Sequence, residues 1–184
     1  MQPRGTLILV VGPSGVGKDS IIAGAARELA GDPRVVFARR LITRPATAGG
    51  EDHIEISPAA FAERREVGQL MLHWHAHGVD YGLPGELLSA LQARISVVAN
   101  VSRGVVGEAR QRLAPVIVVA ITASPKTLAA RLAGRGREST SEIESRLRRT
   151  GGLSPDQADV VISNDGPLAA AIDKFVEVIR HTVV

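Results

Sequence analysis

Apolar positions along the chain come in two rhythms. Short unbroken runs rich in β-branched residues alternate with longer stretches in which apolar residues recur every three or four positions. The runs cover residues 6–11, 35–40, 95–100, 116–122 and 160–163. A run of this length, apolar at nearly every position, is how a strand buried on both faces of a parallel sheet reads. The helical stretches cover residues 18–30, stopped by Gly31-Asp32-Pro33, then 85–93, 105–113, 125–133, 142–150 and 168–180. Strands alternating with helices predict an α/β fold: a parallel sheet flanked by helices.

Two segments interrupt the alternation. Residues 43–83 hold the only Trp, the only Tyr and four of the five His. They read as an insertion with a small sheet or helix of its own. Residues 134–141, Gly-Arg-Gly-Arg-Glu-Ser-Thr-Ser, read as a basic loop between two helices. Inside the insertion His73, His75 and His77 alternate, so on a strand they share a face. Such a face could hold a metal or line a pocket. With no further His or Cys beside them, a polar wall of a pocket is the better expectation.

Composition narrows the class. The 184 residues are 45% apolar and 22% charged, which fits one folded domain and excludes a disordered chain. Without cysteine, disulfides, thiolate metal sites and thiol catalysis drop out. No apolar run reaches the ~18 residues a membrane span needs. The first apolar run follows a single Arg4 and ends at once in glycine, so it reads as a strand rather than a signal peptide, and a cytoplasmic protein is expected. Five aromatic residues are too few for a single-stranded nucleic-acid platform. Of 22 basic residues only Lys18, Lys126 and Lys174 are lysines, and the net charge is only +3. That excludes a polycationic coat for nucleic acid. The arginine excess fits either a GC-rich coding bias or the clamping of phosphates by planar guanidinium groups.

The strongest local signal is Gly12-Pro13-Ser14-Gly15-Val16-Gly17-Lys18. It lies between the first strand and the first helix, in the G-x-x-x-x-G-K spacing of a phosphate-binding loop. Glycines let successive backbone N–H groups converge on one anion, the helix N-terminus adds its dipole, and Lys18 reaches the β- and γ-phosphates of a nucleotide such as ATP. Asp19 stands where Ser or Thr usually follows the lysine, and Ser20 comes next. Asp19 and Ser20 are the candidate ligands of Mg²⁺, which takes oxygen donors and keeps several waters. The alternative for Asp19 is complementing the helix dipole alone. A carboxylate beside nucleotide phosphates repels them unless a cation intervenes, which favours the metal role.

With that loop in place, the chain resembles the guanylate kinases along nearly its whole length. The matching elements run in order: the loop itself, Thr43-Arg44-Pro45, Gly50-Glu51, Phe61, Gly68, His77-Gly78, Tyr81-Gly82, Gly134-Arg135-Gly136, Glu142-Ile143, Arg146-Leu147 and Asn164-Asp165. The resemblance implies a nucleoside-monophosphate-kinase-like fold with a core of 1–42, 84–133 and 151–184, an acceptor-binding insertion at 43–83 and a lid at 134–150. Three departures bear on the acceptor. Leu72 occupies the place of a guanine-binding glutamate, His53 that of a phosphate-binding tyrosine, and Asn100 that of an aspartate. Leucine cannot pair with the edge of a base.

This combination resembles the ribose 1,5-bisphosphate phosphokinase subgroup. The resemblance implies transfer of the γ-phosphoryl of ATP to the 1-phosphate of a sugar bisphosphate, giving phosphoribosyl diphosphate in phosphonate metabolism. Lys18, Arg135 and Arg146 would be catalytic. Arg131 and Asn164 would join the loop and Ser20 in holding ATP. Arg44, His53, Tyr81, Asn100 and Arg103 would bind the acceptor. A phosphate oxygen is already ionised at neutral pH, so no general base is required. Neither nucleic acid nor membrane is an expected partner, and monomer and homodimer both remain open. The competing classes are a guanylate or other nucleoside-monophosphate kinase, and an inactive kinase-like binding module.

Overall fold

The structure is a computed structural model that describes residues 4–48, 51–133 and 157–183. The first apolar run forms strand β1 (Leu7–Val11), with every residue buried. It is the centre of a five-stranded sheet with β2 (Val35–Phe37), β7 (Ser96–Asn100), β8 (Val116–Thr122) and β9 (Val160–Ser163). The strand order is β2-β7-β1-β8-β9, and every pairing is parallel.

The two-residue period of β1 sends side chains into two separate cores. Ile8 and Val10 pack with helix α1 (Lys18–Glu28) and the C-terminal helix α6 (Leu168–Thr182). Leu7, Leu9 and Val11 pack on the other face with Val106 and Ala109 of α4 (Val106–Arg112) and Leu91 of α3 (Leu87–Gln92). Helices α1 and α6 approach closely because Gly24 lacks a Cβ, which would lie 2.3 Å from Cδ1 of Ile172. α5 (Pro125–Ala133) follows β8 and has the bounds the sequence predicts. Among the described residues no helix is long and apolar enough to cross a membrane.

Residues after β2 build a second sheet of order β4-β3-β6-β5. It contains β3 (Leu41–Ile42), β4 (Ile54–Glu55), β5 (Leu70–Ala76) and β6 (Val79–Pro84). Helix α2 (Pro58–Glu66) starts at a Ser57 cap and buries Phe61 against Leu41 and Leu70. β5 and β6 form a hairpin closed by His77 and Gly78, both at positive φ, the backbone a tight two-residue turn needs.

Most element ends shift by one or two residues from expectation, and two differences matter for the second sheet. The second strand is Val35–Phe37 rather than 35–40, because the chain leaves the parallel sheet after Ala38 donates to Val98. Leu41–Ile42, expected in the core segment 1–42, pairs instead with Tyr81 and Gly82 of the second sheet. Met71, Leu72 and Leu83 of that sheet join the core around Leu9 and Val97, so the two sheets share one apolar contact. The expected lid at 134–150, with its helix at 142–150, lies outside the described residues.

Candidate active site

The phosphate loop follows the C-terminal end of central strand β1, the edge at which parallel α/β sheets bind ligands. Val16 is fully buried in the core and pins the loop. Gly15 and Gly17 take φ of 84° and 96°, the left-handed region that suits glycine. A Cβ on Gly17 would lie 2.6 Å from Nδ2 of Asn164, so the site also needs glycine for space. The loop opens into a cleft of about 460 Å³.

Lys18 Nζ donates to the carbonyls of Gly12 at 2.8 Å and Pro13 at 3.0 Å. Burial lowers its pKa to about 8, Arg40 and Arg103 push it the same way, and Asp19 and Glu51 oppose them. Asp19 Oδ1 accepts from Asn100 Nδ2 at 2.7 Å, which joins the start of α1 to the end of β7. Asp19, Ser20, Asn100, Ser102 and Arg103 all line the cleft. The carboxylate and hydroxyl of Asp19 and Ser20 are hard oxygen donors, as Mg²⁺ requires. Among the described residues no three His, Cys, Asp or Glu side chains could hold a metal by themselves.

Arg131 and Asn164 meet the loop from behind. Asn164 Nδ2 donates to the Val16 carbonyl at 2.8 Å, and Arg131 Nη1 reaches the same oxygen at 3.2 Å. Arg131 Nη2 also donates to the Asn164 carbonyl at 2.8 Å. Both side chains were expected to touch ATP, yet these groups bind loop backbone, and neither residue lines the cleft. Asn164 Oδ1 is buried with no partner among the described residues. Next to it, Asp165 accepts from Thr127 Oγ1 at 2.6 Å and Ser124 N at 2.8 Å. Those bonds, that from Thr127 foremost, hold its carboxyl well below the usual range and fasten β9 to the start of α5.

The second sheet also lines the cleft, through Trp74 and Ala76 of β5. His73 and His75, one residue out of phase, face solvent, and His75 Nδ1 pairs with Asp80 Oδ1 at 2.8 Å. The expected histidine wall is thus corrected: only His77, from the turn, lines the cleft. Tyr81 lines it too, its ring parallel to Trp74 within 4° and 5.5 Å away. Arg40 lies over both rings, 5.1 Å from the centroid of Tyr81 and 5.8 Å from that of Trp74, and pairs with Glu51. The sequence reading gave no role to Arg40, Glu51 or Trp74, although alternation along β5 put Trp74 opposite the histidines.

One expected acceptor ligand is committed elsewhere. His53 is buried, with Nδ1 3.0 Å from the Glu51 carbonyl and Nε2 3.0 Å from that of Arg44. Its ring ties the loop together and does not reach the cleft, and half-buried Arg44 is not among the lining residues. Arg135 and Arg146 lie outside the described residues.

No protein-family model matches the chain. Curated proteins do. A ribose 1,5-bisphosphate phosphokinase of Rhodopseudomonas palustris is 48% identical over 178 residues, 96% of this chain and 89% of that protein. Another, from Brucella melitensis, is 43% identical over 183 residues, 99% of this chain and 95% of that one. The chain belongs to the ribose 1,5-bisphosphate phosphokinase family.

Some relatives are longer. The bifunctional ribose 1,5-bisphosphokinase–thymidine phosphorylase of Cupriavidus pinatubonensis is 44% identical over 182 residues, and the chain spans 30% of its length. Among solved structures, guanylate kinase from Anaplasma phagocytophilum superposes with a TM-score of 0.72 at 15% identity, covering 99% of this chain and 88% of that one. This establishes a guanylate-kinase fold. Within it, Leu72 is fully buried in the apolar core and presents no polar group to an acceptor.

Proposed function

We propose that the chain transfers the γ-phosphoryl of ATP to the 1-phosphate of ribose 1,5-bisphosphate, giving phosphoribosyl diphosphate and ADP. Full-length likeness to phosphokinases named for that substrate carries the proposal. The geometry supports it: a complete phosphate loop opens into a cleft that cationic and aromatic groups also line.

In this scheme the loop amides and the N-terminus of α1 hold the ATP phosphates, and Lys18 turns from the Gly12 and Pro13 carbonyls to their oxygens. Asn164 and Arg131 hold the loop in shape through the Val16 carbonyl. Asp19 and Ser20 would hold Mg²⁺, which neutralises phosphate charge when bound. Arg103, Tyr81 and Asn100 orient the acceptor. An ionised oxygen of its 1-phosphate attacks the γ-phosphorus, and the bond from that phosphorus to the β–γ bridging oxygen breaks. No proton has to be removed first, so alignment and charge neutralisation do the chemistry. Arg135 and Arg146 complete the proposal as the cations closing over the transferred group.

The test is a panel of acceptors with ADP release as readout. Turnover of ribose 1,5-bisphosphate well above GMP and AMP is expected. Strong turnover of GMP with none of the bisphosphate would overturn the proposal. Unchanged turnover in Lys18→Ala would show that the cleft is not the active site.

A further inference from the structure

Arg40 is more constrained than a surface arginine. Its Nε donates to Glu51 Oε2 at 2.7 Å and its Nη2 to Glu51 Oε1. The two side chains are only 11% and 14% exposed. A planar guanidinium held in this bidentate way has little freedom left to move aside. It rests over the parallel rings of Trp74 and Tyr81, which line the same cleft as the phosphate loop. Two parallel aromatic rings at the wall of a nucleotide-sized cleft are a surface on which any base could stack, since every base has a π face.

We propose that Arg40, clamped by Glu51, covers the Trp74–Tyr81 surface and thereby excludes nucleobases from the acceptor side of the cleft, making it a specificity-determining residue for a sugar phosphate. This rests on the proposed function for which side receives the acceptor. A base entering there has to displace the guanidinium from both rings and from Glu51. That leaves a largely buried carboxylate without its partner, which is strongly unfavourable. Leu72 completes the exclusion. It shares the strand face of Trp74 and Ala76 and is fully buried, so it offers no edge for a base to pair with. Discrimination here comes from a built-in obstacle as well as from contacts to the accepted ligand. The same fold accommodates a kinase named for guanylate, so the backbone itself does not forbid a nucleotide acceptor.

Trp74 is the chain's only tryptophan, which makes its fluorescence a direct probe of this surface. The experiment compares the unaltered chain with Arg40→Ala/Glu51→Ala, removing both charges together. ADP saturates the phosphate loop while GMP is titrated. GMP should leave the emission of the unaltered chain unchanged at millimolar concentration. In the double variant it should quench saturably, with binding tighter by roughly tenfold or more, as stacking of one base provides. Arg40→Gln/Glu51→Gln retains a hydrogen bond between the positions and carries the same test should the alanine pair fail to fold. A folded double variant with no gain in GMP quenching would overturn the role of Arg40. Absence of ribose 1,5-bisphosphate turnover in the unaltered chain would instead overturn the proposed function, and the quenching comparison would still stand.

Discussion

Lys18 should make nucleotide binding depend on pH above neutrality. Its ammonium is buried against two carbonyls, and desolvation first of all lowers its pKa from 10.5 to about 8. Nucleotide phosphates favour the charged form, so binding above pH 8 has to restore a proton. With a bound-state pKa well above 8, apparent affinity falls as 1 + 10^(pH − 8): about twofold at pH 8 and about tenfold at pH 9. The sign for the empty fold is opposite. Below about pH 8 the lysine is charged in both states, and the fold bears the cost of burying that charge. Between about 8 and 10.5 the unfolded chain holds more protons, so stability rises with pH. The gap corresponds to roughly 3 kcal/mol. Calorimetric titration with ADP from pH 7 to 9.5, in buffers of different ionisation enthalpy, reads both affinity and proton uptake. Lys18→Arg, charged throughout, should bind with a flat profile. A flat profile in the unaltered chain, or an equal fall in Lys18→Arg, would refute the reasoning.

Two further variants separate roles that the geometry distinguishes. Arg131→Met removes charged donors from the Val16 and Asn164 carbonyls, which should cost about 2 kcal/mol and lower the melting temperature of the nucleotide-free protein by about 4–8 °C. An unchanged melting temperature with a raised KM for ATP would make Arg131 a direct nucleotide ligand instead. Asp19→Ala should raise the Mg²⁺ concentration for half-maximal turnover by about tenfold or more. An unchanged Mg²⁺ requirement, with stability lower by about 0.5 kcal/mol, would leave Asp19 only its helix-dipole role.

The parallel sheet was legible because its central strands β1 and β7 are buried on both faces, and such strands carry their signature at every position. The phosphate loop was legible because its backbone curl demands glycine at fixed spacing. The second sheet was harder to read. Two-residue strands such as Leu41–Ile42 are too short for any period to register. On β5, alternation separates His73 and His75 from Trp74 and Ala76 but does not say which set faces inward. The inward set follows from docking Met71 and Leu72 into the shared core. Arg131 and Asn164 had the right residue types at positions that the resemblance tied to ATP. Their bonds to the Val16 carbonyl, 115 and 148 residues away in sequence, exist only once the fold is assembled. His53 stands where the resemblance places a phosphate-binding tyrosine, but its ring lies buried between two backbone carbonyls.

Phosphorus NMR of the product formed from ATP and ribose 1,5-bisphosphate identifies the acceptor atom itself. Paired diphosphate resonances on the sugar's C1 should appear together with ADP, while the 5-phosphate resonance stays a monoester. ATP left intact beside the bisphosphate, with GMP converted to its diphosphate by the same sample, would contradict it.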